Sequence, residues 1–123
     1  MKNIYLFLIL LLFYSSSIYS NEKQTLTVYT YDSFTSEWGA GPIIKKIFED
    51  KYNKNLNFIS VDSAATLLNK VILEGVNTKA DIVLGIDMNL FNAAEQSELF
   101  TPHNLKNIND RIKLPIKWES ELF

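Results

Sequence analysis

From Thr25 to Tyr31 the chain alternates Leu26, Val28 and the less apolar Thr30 with Thr27, Tyr29 and Tyr31. β-Branched and aromatic residues dominate the stretch, so a strand is expected there. Asp32 and Ser33 end it with turn chemistry. Gly39, Gly41 and Pro42 then open a helix, with Pro at the first helical position, where its missing N–H costs nothing. The helix is expected over Pro42–Lys51. Ile43, Ile44, Ile47 and Phe48 fall on one stripe, and Lys45, Lys46, Glu49 and Asp50 face water. After a turn at Tyr52–Asn55, the segment Leu56–Val61 alternates as a second strand that is apolar on most of both faces. Asp62 and Ser63 are N-cap residues for a helix over Ala64–Glu74. Leu67, Leu68, Val71 and Ile72 point inward there, and Gly75 ends it. Ile82–Ile86 is a short unbroken apolar run, suited to a central parallel strand. Met88–Glu98 is expected as a third helix, using Leu90, Phe91, Ala94 and Leu99.

The order is β-α-β-α-β-α, which argues for an α/β fold with a parallel sheet and helices on its faces. No internal repeat or low-complexity linker interrupts it. After Phe100 the pattern degrades into a polar stretch broken by Pro102 and Pro115, without a clear period.

The amino end is a separate matter. Lys2 is followed by eleven apolar or aromatic residues, Ile4–Tyr14, and then by SSSIYS. One positive charge, a short apolar run and a small-residue tail describe a secretory signal peptide over residues 1–20. Spanning a bilayer takes about 20 apolar residues, so the competing reading, an uncleaved anchor, has a run that is too short. Ser20 suits the last position before cleavage, whereas Ile18 is larger than that site prefers.

Charge narrows the partners. After residue 20 there are eleven bases against fourteen acids, a formal −3. That excludes a basic nucleic-acid footprint and a polybasic membrane patch. The chain has no cysteine, hence no disulfide framework, thiol nucleophile, thiolate metal site or lipidated signal-peptide Cys. About a hundred mature residues suffice for one modest core, not for two.

Candidate chemistry gathers at the carboxyl ends of the first two expected strands, where open α/β sheets bind ligands. Tyr31 and Trp38 offer aromatic faces to a cation. Phe34, with no polar handle, is expected to pack. Asp32 either meets a cationic or amino-bearing ligand or ends the strand as an Asx turn. The turn Asp62-Ser63-Ala64 stands between a strand end and a helix N-terminus, whose free N–H groups favour an anion such as phosphate. Ser63 there caps the helix, a role compatible with ligand contact. Asp87 reads as an N-cap or a lesser ligand contact. His103, the single histidine, is expected at the surface. No metal-ligand spacing, P-loop or dinucleotide fingerprint occurs, and Glu37 and Glu74 form no acid/base pair.

The segment LTVYTYDSFTSEWGAGP, Leu26–Pro42, resembles the start of the periplasmic thiamine-binding proteins of bacterial ABC importers. The likeness continues in LLNK (Leu67–Lys70), LEGVNTKADIVLGIDMNLF (Leu73–Phe91) and AAEQSELF (Ala93–Phe100). YTYDSF followed by WGxGP is fairly specific to that family. KADIVLGID is less so, because iron and polyamine receptors carry similar strands. The resemblance implies a periplasmic-binding-protein-like lobe, with residues 21–123 as part of an N-terminal lobe and the second lobe absent, since family members are much longer. It implies a substrate-binding component of a thiamine importer: periplasmic, monomeric, catalysing nothing, carrying no cofactor, and handing thiamine or its phosphates to an inner-membrane ABC permease. It implies Tyr31, Asp32, Trp38, Ser63 and Ala64 as ligand-binding residues. In the family the turn matching Ser63-Ala64 is usually Asp-Gly. The departure removes a carboxylate and limits how closely backbone can approach the ligand.

Two alternatives stand beside that expectation. A receptor for ferric iron or a polyamine would recruit Tyr29, Tyr31 and Asp32. A thiamine-degrading transferase shares the fold but needs a cysteine nucleophile, which this chain lacks.

Overall fold

The computed structural model describes residues 23–105. The expected signal peptide and the tail beyond Leu105 lie outside them. Three strands form one parallel sheet in the order β2-β1-β3: β1 (Thr25–Tyr31), β2 (Asn55–Val61) and β3 (Ile82–Val83). The helices are α1 (Asp32–Thr35), α2 (Gly41–Tyr52), α3 (Ala64–Glu74) and α4 (Phe91–Gln96), with a 3-10 turn over Gly75–Asn77. The expected α/β alternation holds, with α2 and α3 supplying the crossovers that parallel strands require.

The most buried strand, β1, takes the centre. It pairs with β2 along its whole length, from Thr25↔Asn55 to Tyr31↔Val61. On its other side Val28 meets Ile82 and Tyr29 meets Val83. This register lines up Ile59, Tyr29 and Val83 across one face, and α3 covers them. Leu67, wholly buried, and Val71 from α3 pack with Tyr29 at the centre of the core, flanked by Ile59, Val61, Val83, Ile86 and Leu99. Burying a side chain of that size contributes about 1.5–3 kcal/mol.

Two carboxylates fasten the layers by accepting from backbone. Glu49 Oε1 takes the Leu56 N–H at 2.9 Å, tying α2 to β2. Asp81 Oδ2 takes the Thr27 N–H at 2.7 Å, tying the entry of β3 to β1. A third cluster closes α3. Lys70 Nζ lies 2.6 Å from Glu74 Oε1 and 5.1 Å from the centre of the Tyr29 ring. Thr78 Oγ1 donates to Glu74 Oε2 at 2.9 Å.

Several elements differ from the sequence expectation. A single helical turn, α1, follows β1 directly where only turn chemistry was expected. Regular pairing in β3 stops at Val83, although the Leu84 N–H still donates to the Tyr29 carbonyl at 2.9 Å. The next residue, Gly85, has φ +114° and turns the chain out of the ladder. Helix α4 begins at Phe91 rather than Met88, because Asp87 spends its side chain on an Asx turn to the Asn89 N–H. Glu98, at φ 56°, follows its end. Ile72 is exposed instead of inward. The stripe on α2 forms as expected but is not covered by the described residues: Ile43 is 65% and Ile47 59% exposed, and Ile44 is also exposed. His103 is half-buried rather than on the surface, because its Nδ1 folds back to accept the Leu105 N–H at 2.9 Å.

Candidate functional site

The carboxyl edge of the sheet is built around Tyr31, the last residue of β1. Its partner in register is Val61, the last residue of β2, so the turns after both strands leave the sheet side by side. One carries Asp32 and the other Asp62-Ser63-Ala64.

Asp32 opens α1, and its carboxylate does not form an Asx turn. Oδ1 accepts the Ser60 hydroxyl proton at 2.6 Å, across the strand pair. The backbone turn is closed instead by the Ser36 N–H and the Thr35 hydroxyl, both donating to the Asp32 carbonyl at 3.0 and 3.1 Å. The carboxylate is thus held by one oxygen and remains exposed, leaving acceptor capacity free for a cation or an amino group.

The aromatic rings are ordered by edge-to-face packing. Tyr31 and Phe34 lie 6.2 Å apart at 67°, and Phe34 and Phe58 lie 5.6 Å apart at 77°. Such pairs favour T-shaped geometry because a ring's positive edge meets its neighbour's negative face. Phe34 therefore packs, as expected, but between Tyr31 and Phe58. Tyr31 remains half-buried. Trp38, on the loop between α1 and α2, is 80% exposed and has no ring partner among the described residues.

That loop is shaped by its two glycines. A Cβ on Gly39 would lie 2.5 Å from the Ser33 carbonyl oxygen, and one on Gly41 would lie 2.7 Å from that of Phe34. These residues thus allow the WGAGP segment to press against α1, and close approach rather than suppleness explains the pair.

On the neighbouring turn Ser63 caps α3. Its Oγ accepts the Thr66 N–H at 3.2 Å and shares a 2.9 Å hydrogen bond with the Thr66 hydroxyl. Ala64, half-buried, is the first helical residue. The remaining free N–H groups of this first turn carry the positive end of the helix dipole. The structure thus sets Tyr31 and Asp32 side by side at the end of β1, the first against Phe34 and the second bonded to Ser60, puts Ser63 and Ala64 on the adjoining turn, and leaves Trp38 on its own exposed loop. Two supporting residues escaped sequence reasoning. Ser60 looked like ordinary strand alternation, although it sits next to Thr30 in register, one step before the strand ends. Gly85 was hidden inside the apolar run IVLGI, where an interior glycine is itself a signal of close approach.

Among the described residues no group of His, Cys, Asp and Glu has the arrangement to hold a metal ion, and no helix is long and apolar enough to cross a membrane. An open cleft of about 430 Å³ lies at the opposite, amino end of β1, lined by Gln24, Thr25, Leu26, Phe48, Lys54 and Asp81. It shares no residue with the carboxyl-edge cluster.

Strand order and parallel register define the class: an α/β protein with part of a periplasmic-binding-protein-like lobe. A solved structure of a periplasmic thiamin-binding protein superposes with a TM-score of 0.74 at 42% identity, over 83% of this chain and 31% of that one. The chain is 45% identical over 101 residues to the thiamine-binding periplasmic protein of Salmonella typhimurium, covering 82% of this chain and 30% of that protein. It is 43% identical over 124 residues to the protein of that name from Haemophilus influenzae, covering 100% of this chain and 37% of that one. No family model matches. Over these residues the chain is similar to the thiamine-binding periplasmic proteins, the likeness that YTYDSF and WGAGP implied, and it spans 30–37% of the length of these proteins.

Proposed function

We propose that the carboxyl edge of this sheet is one wall of a thiamine site, and that the protein serves as the substrate-binding component of a thiamine ABC importer. The observation that carries this reading is the cluster at the end of β1. A half-buried tyrosine ends the strand there and an exposed carboxylate, held by Ser60, follows it, in a chain 43–45% identical to proteins named for binding thiamine. Thiamine presents a cationic thiazolium and a flat aminopyrimidine. Tyr31 offers a π face to the cation, worth about 0.5–2 kcal/mol depending on how far water is excluded. The Asp32 oxygen not engaged by Ser60 accepts from the amino group or balances the positive charge. Trp38 closes over the ligand from the α1–α2 loop. The Ser63-Ala64 turn offers N–H groups to a hydroxyl or phosphate.

No bond is made or broken in this scheme, in keeping with relatives named as binding proteins rather than enzymes. Residues 1–20 act as the export signal, which suits relatives named periplasmic. Release follows when the permease separates the two walls, by the hinge closure and opening that such receptors use. A ligand held against this wall alone binds more weakly than one enclosed on both sides.

A thermal-shift panel tests the cargo. Thiamine should raise the unfolding temperature of the chain, and spermidine and ferric citrate should not. Stabilisation by either of those alone would overturn the assignment.

A further inference from the structure

We propose that Gly85 is a positioning residue for Tyr31: the bare Cα after β3 is the seat on which the tyrosine ring rests at the carboxyl edge. This rests on the thiamine reading only for its functional consequence, since the seat itself is a property of the free protein.

The surroundings of Gly85 and of the ring point to the seat. A Cβ built on Gly85 would come within 2.5 Å of Tyr31 Cδ1 and closer still to Cε1, so the ring occupies the space that any other residue's side chain would take. Both near atoms belong to the ring of a single residue, whereas at Gly39 and Gly41 the obstacle is chiefly backbone. The backbone at Gly85 is also committed, because φ is +114°, where residues with a Cβ are strained. The segment just before it is pinned, the Leu84 N–H donating to the Tyr29 carbonyl at 2.9 Å, so Gly85 cannot withdraw from the ring without breaking the end of β3. On its other side Tyr31 meets Phe34 edge to face at 6.2 Å. The ring is thus held between Phe34, itself backed by Phe58, and a glycine just past the neighbouring strand.

The consequence is preorganisation. An exposed tyrosine at a strand end would sample several χ1 wells. One wedged between Phe34 and Gly85 keeps one orientation, and a ligand does not have to order it. Gly85 touches no ligand in this scheme and acts through Tyr31 alone.

The test uses the full chain and NMR, with Gly85→Ala, Tyr31→Ala and the double variant. In the unsubstituted chain the Tyr31 ring protons should show cross-peaks to the Gly85 α protons, which the ring current displaces from their ordinary position. Gly85→Ala should shift the Tyr31 ring resonances and weaken thiamine binding at least about fivefold, while in the Tyr31→Ala background the same change should alter binding less than about twofold. Unchanged ring resonances in Gly85→Ala, or an equal loss of binding in both backgrounds, would overturn the seat. If Gly85→Ala fails to fold, the double variant decides. Recovered folding with the ring removed supports the steric seat, and equal failure assigns the glycine to its φ alone and overturns it. A chain that shows the cross-peaks yet gives no response to thiamine contradicts the thiamine reading and leaves the seat to be judged by the ligand-free spectra.

Discussion

Helices α2 and α3 have the same design on paper and opposite fates in space. Each carries apolar residues at helical spacing with polar residues opposite. On α3 the stripe is sealed, with Leu67 wholly buried and Leu68 and Val71 nearly so. On α2 three isoleucines face solvent in the described residues. Periodicity therefore states that a helix has a face to cover, and says nothing about what covers it. The difference arises from the sheet. Helix α3 lies over Tyr29, Ile59 and Val83, three adjacent apolar positions on one face. The apolar residue of α2 that gains substantial cover is Phe48, near its carboxyl end, where Glu49 ties the helix to Leu56.

Truncation should expose that contrast most strongly. Leu67→Ala should destabilise the chain by about 2–5 kcal/mol, the range for a large-to-small change in a sealed core. Ile47→Ala, with the same loss of apolar bulk, should cost no more than about 0.5 kcal/mol, as at other exposed positions. Urea unfolding followed by circular dichroism measures both, and equal costs would erase the distinction. Next in size is the cap of α3. Ser63→Ala should cost about 1 kcal/mol through loss of the acceptor for the Thr66 N–H, whereas Ser63→Asp retains most of it. The α2 end of the comparison has no side-chain cap to lose. Trp38→Ala comes next. With an indole 80% exposed, it should leave unfolding unchanged within about 0.5 kcal/mol and still weaken the response to thiamine.

The smallest effect is electrostatic and belongs to α3. The Lys70 hydrogen bond holds the Glu74 carboxyl below its ordinary value of 4.5, against an opposing contribution from burial and with help from Thr78 and Tyr29. The same bond raises the Lys70 ammonium above 10.5. The carboxylate thus favours folding above the unfolded-chain value and loses that contribution as pH falls through its lowered folded value. The ammonium favours folding below 10.5 and loses its share as pH rises through the raised folded value. Thermal unfolding across pH should show shallow acid and alkaline declines that Glu74→Gln flattens. An unchanged profile would show the pair to be inert.

Much of the fold was legible. Strand β1 and helix α3 fall where their alternation and 3.6-residue spacing put them, because pattern, cap and terminator agree at each. Residues whose position depends on another part of the chain were less legible. The glycine in the apolar run Ile82–Ile86 signalled a close approach without saying to what, since the Tyr31 ring it meets lies fifty-four positions away. His103 looked like a surface residue because its bond to the Leu105 N–H is a matter of loop geometry. At the candidate site, Tyr31 and Asp32 could be named from residue type and place. Ser60, which orients the carboxylate, could not, because a serine in an alternating strand is indistinguishable from a solvent-facing one until the register is known.

The central claim is that the carboxyl edge holds the ligand. Titrating the full chain with thiamine while following backbone amide resonances tests it most directly. Saturable shifts should gather at Tyr31, Asp32, Trp38, Ser63 and Ala64. Shifts confined to the amino-end cleft around Gln24 and Lys54, or none at any site up to millimolar thiamine, would contradict it.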